Sequence, residues 1–131
     1  MVSESEAGGY SARLMGLRIL IAEDKFLVAE RLKHGLEAAG ATVLGMAPTV
    51  DGALDYVAAE PIDVALVDMD LRGEFADRLI EKLLERGIPF VIVTGFQALP
   101  NNYAGDALAV VQKPVDKDEL VELLAQVPRQ T

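Results

Sequence analysis

Leu17-Arg18-Ile19-Leu20-Ile21-Ala22-Glu23-Asp24 is an apolar run that ends in two adjacent acids. Three further runs share that form. Val64-Ala65-Leu66-Val67 ends in Asp68, Val91-Ile92-Val93 in Thr94-Gly95, and Ala109-Val110-Val111-Gln112 in Lys113-Pro114. Short, continuous apolar runs of this kind suit strands buried on both faces, as in a parallel sheet covered by helices. Ligands of open parallel sheets bind at the carboxyl ends of the strands. One edge of the sheet therefore gathers acids, a hydroxyl and an amine, a set suited to a divalent cation and a phosphoryl group.

Helical patterns lie between the strands. Val28, Leu32, Leu36 and Ala39 recur at helical spacing, with Gly35 inside the helix and Gly40 ending it. Residues 42–47 read as a second strand. Thr49 or Asp51 is placed to cap a helix with Val50, Leu54, Val57 and Ala58 inward, and Pro61 leads to a strand from Ile62. Ala76, Leu79, Ile80, Leu83 and Leu84 form the clearest stripe, closed by Arg86-Gly87. Asp116, with Glu119 three residues on, opens a last helix with Leu120, Leu123, Leu124 and Val127 inward. Residues 96–106 hold Pro, two Asn and Gly, which predicts a loop or one short turn of helix. Five βα units with parallel connections predict an α/β fold with helices on both faces of one sheet.

The 131 residues suffice for one domain, and residues 1–16, with Gly8-Gly9 and Gly16, read as a flexible tail. The net charge of -9 opposes nucleic-acid backbones and anionic membranes. There is no cysteine, which excludes disulfides and thiolate metal sites and suits a reducing cytoplasm. No apolar stretch approaches the length of a membrane span, and the acidic start lacks the pattern of a signal peptide.

Glu23, Asp24 and Asp68 offer carboxylates from two strand ends, and Asp70 a backbone carbonyl, to a hard cation such as Mg²⁺. Without a cation the three carboxylates repel one another. A phosphoryl group on Asp68 needs donors, and Lys113 and Thr94 supply them while Gly95 permits close approach. The Lys113-Pro114 bond suits a cis form at a tight strand exit. His34, off the apolar stripe, reads as a surface residue.

The ordered set of Glu23-Asp24, Asp68, Thr94-Gly95 and Lys113-Pro114 resembles the receiver domain of bacterial two-component response regulators, over residues 17–128. The resemblance implies a flavodoxin-like (βα)5 fold of strand order 2-1-3-4-5. It implies that Asp68 accepts a phosphoryl group from a histidine kinase or a histidine phosphotransfer protein. Glu23, Asp24, Asp68 and the Asp70 carbonyl then hold Mg²⁺, and Thr94 and Lys113 sense the phosphoryl group.

Three features depart from the family pattern. Val110 stands where receivers carry a Tyr or Phe, the fourth helix looks degraded, and no output domain is expected beyond the receiver. These resemble a stand-alone receiver subfamily with a Phe-Ala-Thr-Gly signature, here Ile92-Val93-Thr94-Gly95-Phe96. Phe96 and Asp70 should border the phosphoryl group, and Phe96 or Tyr103 should supply the reporting ring that Val110 lacks. The expected protein is a cytoplasmic, bacterial switch, monomeric or weakly dimeric, acting on an unknown downstream protein. Two alternatives stand beside it. One is a Mg²⁺-dependent phosphohydrolase with Asp68 as nucleophile, since Asp68-Met69-Asp70 also resembles the motif of haloacid-dehalogenase-type phosphatases. The other is a docking module independent of phosphorylation.

Overall fold

In a computed structural model, which describes residues 12–95 and 103–129, the first apolar run forms β1 (Arg18–Ala22). Its side chains alternate between two cores. Ile19 and Ile21 face one, Leu20 and Ala22 the other, and all four are buried. The same division holds for β3 (Val64–Asp68) and β4 (Phe90–Thr94), every residue of which is buried. Burial on both sides is what converts an alternating strand into a continuous apolar run. The outer strands β2 (Thr42–Ala47) and β5 (Ala109–Gln112) are more exposed.

The five strands form one parallel sheet of order β2-β1-β3-β4-β5, the flavodoxin-like order that the resemblance implies. The helices α1 (Phe26–Ala38) and α4 (Lys117–Leu124) cover one face, and α2 (Val50–Ala59) and α3 (Asp77–Glu85) the other. The chain leaves β1 in one direction and crosses back to β3 on its other side. The strand order therefore reverses at β1/β3, which opens a crevice at their carboxyl ends.

Caps fall where the sequence places them. The Thr49 hydroxyl accepts from the Gly52 N–H at 3.0 Å, and an Asp116 carboxylate oxygen accepts from the Glu119 N–H at 3.1 Å. Several boundaries differ from the sequence expectation. In α2, Val50 and Val57 are buried and Leu54 partly so, as expected, but Ala58 is exposed and Ala53 takes the inward place instead. In α3, Leu84 lies outside the stripe, 42% exposed. β3 starts at Val64, two residues later than expected.

The largest correction concerns the tail. Residues 12–16 form a packed turn: Leu14 is fully buried, and its N–H donates to the Ala39 carbonyl at 2.8 Å. The Arg129 guanidinium donates to the Arg13 carbonyl at 2.8 Å and the Met15 carbonyl at 3.2 Å, tying this turn to the end of the chain. Residues 1–11 lie outside the described residues, as do 96–102, and with them most of the expected loop. At its far end Tyr103–Gly105 makes a single 3₁₀ turn.

Candidate functional site

The backbone brings four predicted residues to the crevice. Glu23 and Asp24 follow β1, Asp68 ends β3, and Lys113 follows β5. Lys113 Nζ lies 2.7 Å from Asp68 Oδ2 and 2.7 Å from Glu23 Oε1. Thr94 ends β4, one residue beyond Val93, the partner of Asp68 in the sheet register, and its carbonyl accepts from the Lys113 N–H at 2.9 Å. The Lys113-Pro114 peptide bond is cis.

Glu23, Asp24 and Asp68 each place a carboxylate oxygen within 4.8 Å of the others. Glu23 and Asp68 are buried, and Asp24 is partly so. Three carboxylates against one ammonium leave a deficit that a divalent cation's charge balances. The polar accounting agrees. Asp24 Oδ1 is buried with no hydrogen-bond partner among the described residues, and Glu23 Oε1 meets Lys113 as an ion pair outside hydrogen-bond geometry. Buried oxygens of this kind need a donor or a cation, so the residues fit a hard cation held by oxygen.

The electrostatics follow from burial against pairing. Burial pushes the Glu23 carboxyl above its ordinary pKa, and this outweighs the Lys113 contact and the Lys25 N–H that favour the charged form. Asp24 also feels burial, yet the Arg72 N–H and its other donors hold it below the usual carboxylate range. Burial works against the charge on Lys113 too. Its contacts with the Asp68 and Glu23 carboxylates overcome that, and its pKa stands above the ordinary value.

Sequence reading missed one part of this arrangement. Asp70–Leu71 and Glu74–Phe75 pair as a small antiparallel ribbon across the turn Arg72-Gly73. Both turn residues have positive φ, 56° and 86°, the form of a tight two-residue hairpin. Glycine adopts it freely, whereas arginine there costs about 1–2 kcal/mol. The turn aims the Arg72 N–H at Asp24 Oδ2, 3.1 Å away, so the ribbon orients a carboxylate of the crevice. Arg72-Gly73 between Leu71 and Phe75 is the signal that marks it in the sequence.

Asp70 donates its N–H to Asp68 Oδ1 at 3.0 Å, while its carboxylate accepts from the Gly73 N–H at 2.9 Å. That side chain thus serves the hairpin. Among the described residues, a Cβ at Gly95 would meet nothing within 4 Å. Val110 is 39% exposed on the edge strand. Tyr103 packs against the α2/α3 core, and its hydroxyl donates to Glu81 Oε2 at 3.3 Å. Phe96 lies outside the described residues.

Such a crevice, on a doubly wound sheet of this order, defines a class of signalling domain, and similarity to known proteins names it. Residues 19–125 match the family model of the response regulator receiver domain; the chain belongs to this family, whose members are phosphoryl-accepting signalling domains. It is similar to the sensory transduction protein LytT of Bacillus anthracis, 26% identical over 118 residues, which are 87% of this chain and 48% of that protein. It is also similar to the sensor protein TorS of Escherichia coli (strain K12), 28% identical over 121 residues, 88% of this chain and 13% of TorS. The chain thus spans about half the length of LytT and a small part of TorS. Among solved structures, SdrG from Sphingomonas melonis Fr1 is 38% identical with a TM-score of 0.72, covering 86% of this chain and 95% of SdrG. No helix among the described residues is long and apolar enough to cross a membrane.

Proposed function

We propose that Asp68 accepts a phosphoryl group, with Mg²⁺ bound beside it, from a histidine kinase or a histidine phosphotransfer protein, and that the phosphorylated chain then engages a downstream protein. The observation that carries this reading is the meeting of three carboxylates within 4.8 Å with an ammonium 2.7 Å from Asp68 Oδ2. Glu23, Asp24 and Asp68 would hold the cation, together with the Asp70 carbonyl. Bound there, the cation supplies charge that steadies the phosphoryl oxygens during transfer.

The chain's own residues do the rest. A carboxylate oxygen of Asp68 attacks phosphorus. The bond from phosphorus to the donor imidazole nitrogen breaks, and its electron pair leaves with the imidazole. Asp68 is presented for this by its position at the end of a buried strand and by the Asp70 N–H on Oδ1. Lys113, already on Oδ2, is placed to pair with the incoming dianion, and Thr94 offers a hydroxyl from the adjacent strand.

The test is incubation with acetyl phosphate, with and without Mg²⁺, read by intact mass together with free phosphate. The expected result is one phosphoryl group per chain, requiring Mg²⁺ and decaying without sustained turnover. Steady release of phosphate over many turnovers would favour the phosphohydrolase, and no labelling in Mg²⁺ would favour a docking module.

A further inference from the structure

On the face covered by α1 and α4, a groove of about 580 Å³ runs between the two helices. Its floor is apolar, formed by Val28, Leu32, Leu36, Val115 and Leu120. Its polar lining is of one sign: Arg31, Lys113 and Lys117 border it, and among the described residues no carboxylate does. Lys113 is engaged by Asp68 and Glu23. Arg31 and Lys117 make no ion pair or hydrogen bond among the described residues. In a chain of net charge -9, two cations without a partner among the described residues, above one apolar floor, are a local reversal of sign.

The position of Lys117 is built into α1. Gly35 lies inside that helix, where glycine costs about 1 kcal/mol against alanine. A Cβ there would come within 2.8 Å of Lys117 Cδ and 3.1 Å of Lys117 Cγ. The missing side chain makes room for the lysine stem to lie across α1. Lys117 and Arg31 also border an adjoining hollow, whose lining includes Glu30 and His34. The inner part of the Lys117 stem thus lies against α1 at Gly35, while the side chain as a whole remains exposed.

The size and lining fit a small molecule. Pockets for organic ligands occupy about 300–1,000 Å³ and combine a mainly apolar lining with a few orienting polar groups. We propose that the α1/α4 groove binds a small organic anion, an apolar body bearing a single carboxylate, with the body on Leu32, Leu36, Val115 and Leu120 and the carboxylate between Arg31 and Lys117. The proposed contacts use neither Asp68 nor a cation in the crevice, although Lys113 borders both the groove and the crevice.

The net charge makes the test discriminating, because non-specific association with this acidic chain favours a cation over an anion. The experiment is a titration of the full unphosphorylated chain with 2-naphthoate, followed by amide NMR, beside 2-naphthylmethylammonium of the same ring size. The expected result is saturable binding of naphthoate with a Kd of about 1 mM or tighter. Its shifts should be confined to residues 28–36 and 113–120, with weaker binding of the ammonium analogue. The double variant Arg31→Glu, Lys117→Glu alters two exposed side chains and should keep the amide pattern of the sheet, while its preference moves to the ammonium probe. Absence of saturable naphthoate binding, shifts elsewhere, or equal affinity for the two probes in the native chain would overturn the proposal. So would an unchanged preference in a double variant that retains the sheet pattern.

Discussion

Asp63 and Asp68 stand five residues apart at opposite ends of the same buried stretch, 2% and 7% exposed. Their surroundings differ completely. Asp63 Oδ2 accepts from the Arg18 N–H at 2.8 Å, and its own N–H donates to the Arg18 carbonyl at 2.9 Å. Its charge therefore completes the start of the β1/β3 pairing. Asp68 lies among like charges, with one lysine shared between it and Glu23. The amino edge of the sheet is closed, by Asp63 and by Leu14 beneath the residue 12–16 turn. The carboxyl edge is left electrostatically incomplete. Burial alone does not separate a structural acid from a reactive one; the balance of partners does.

Substitutions should separate the two edges, and the largest effect is expected at Asp68. Asp68→Asn should abolish acetyl phosphate labelling while the fold persists, since the change removes a mutually repelling charge. Intact mass and circular dichroism read both. Leu14→Ala should cost about 2–5 kcal/mol by leaving a cavity in a filled site, measured by urea unfolding, with the folded fraction still labelled. A loss below ~0.5 kcal/mol would return residues 12–16 to the status of a tail.

Asp63→Ala strands the part-buried Arg18 N–H and should cost about 1–3 kcal/mol without changing the Mg²⁺ dependence of labelling. Loss of labelling in folded Asp63→Ala would break the comparison. Asp24→Asn should do the reverse, holding stability while weakening Mg²⁺ binding by about tenfold, or 1.4 kcal/mol, as read by calorimetry. Val110→Tyr, at a position 39% exposed on the edge strand, should change stability by no more than about 0.5 kcal/mol. A larger loss would show that β5 is packed more tightly than its exposure indicates.

Much of this division was legible in the sequence. The sheet could be read because strands covered on both faces leave unbroken apolar runs, and the crevice because each run stops at a polar residue. The closed edge was less visible. Leu14 stands in a short stretch, Ala12-Arg13-Leu14-Met15-Gly16, that shows no strand or helix period, and its burial depends on Ala39 and on a turn held by Arg129, far along the chain. Asp63 falls inside the strand expected from Ile62, and its partner is the backbone of Arg18, which leaves no mark in composition. The Arg72-Gly73 hairpin is too short to carry a period, although it orients Asp24. In α2 the valines Val50 and Val57 were legible, whereas the place of Ala53 or Ala58 in the core is a tertiary choice between two alanines.

The most direct measurement is to locate the phosphoryl group among Asp63, Asp68 and Asp70. The chain would be labelled with acetyl phosphate in Mg²⁺, trapped, digested and fragmented by tandem mass spectrometry. This account predicts modification at Asp68 alone, lost when Mg²⁺ is chelated before labelling. Modification at Asp63 or Asp70, or equal labelling of Asp68 without the cation, would contradict it.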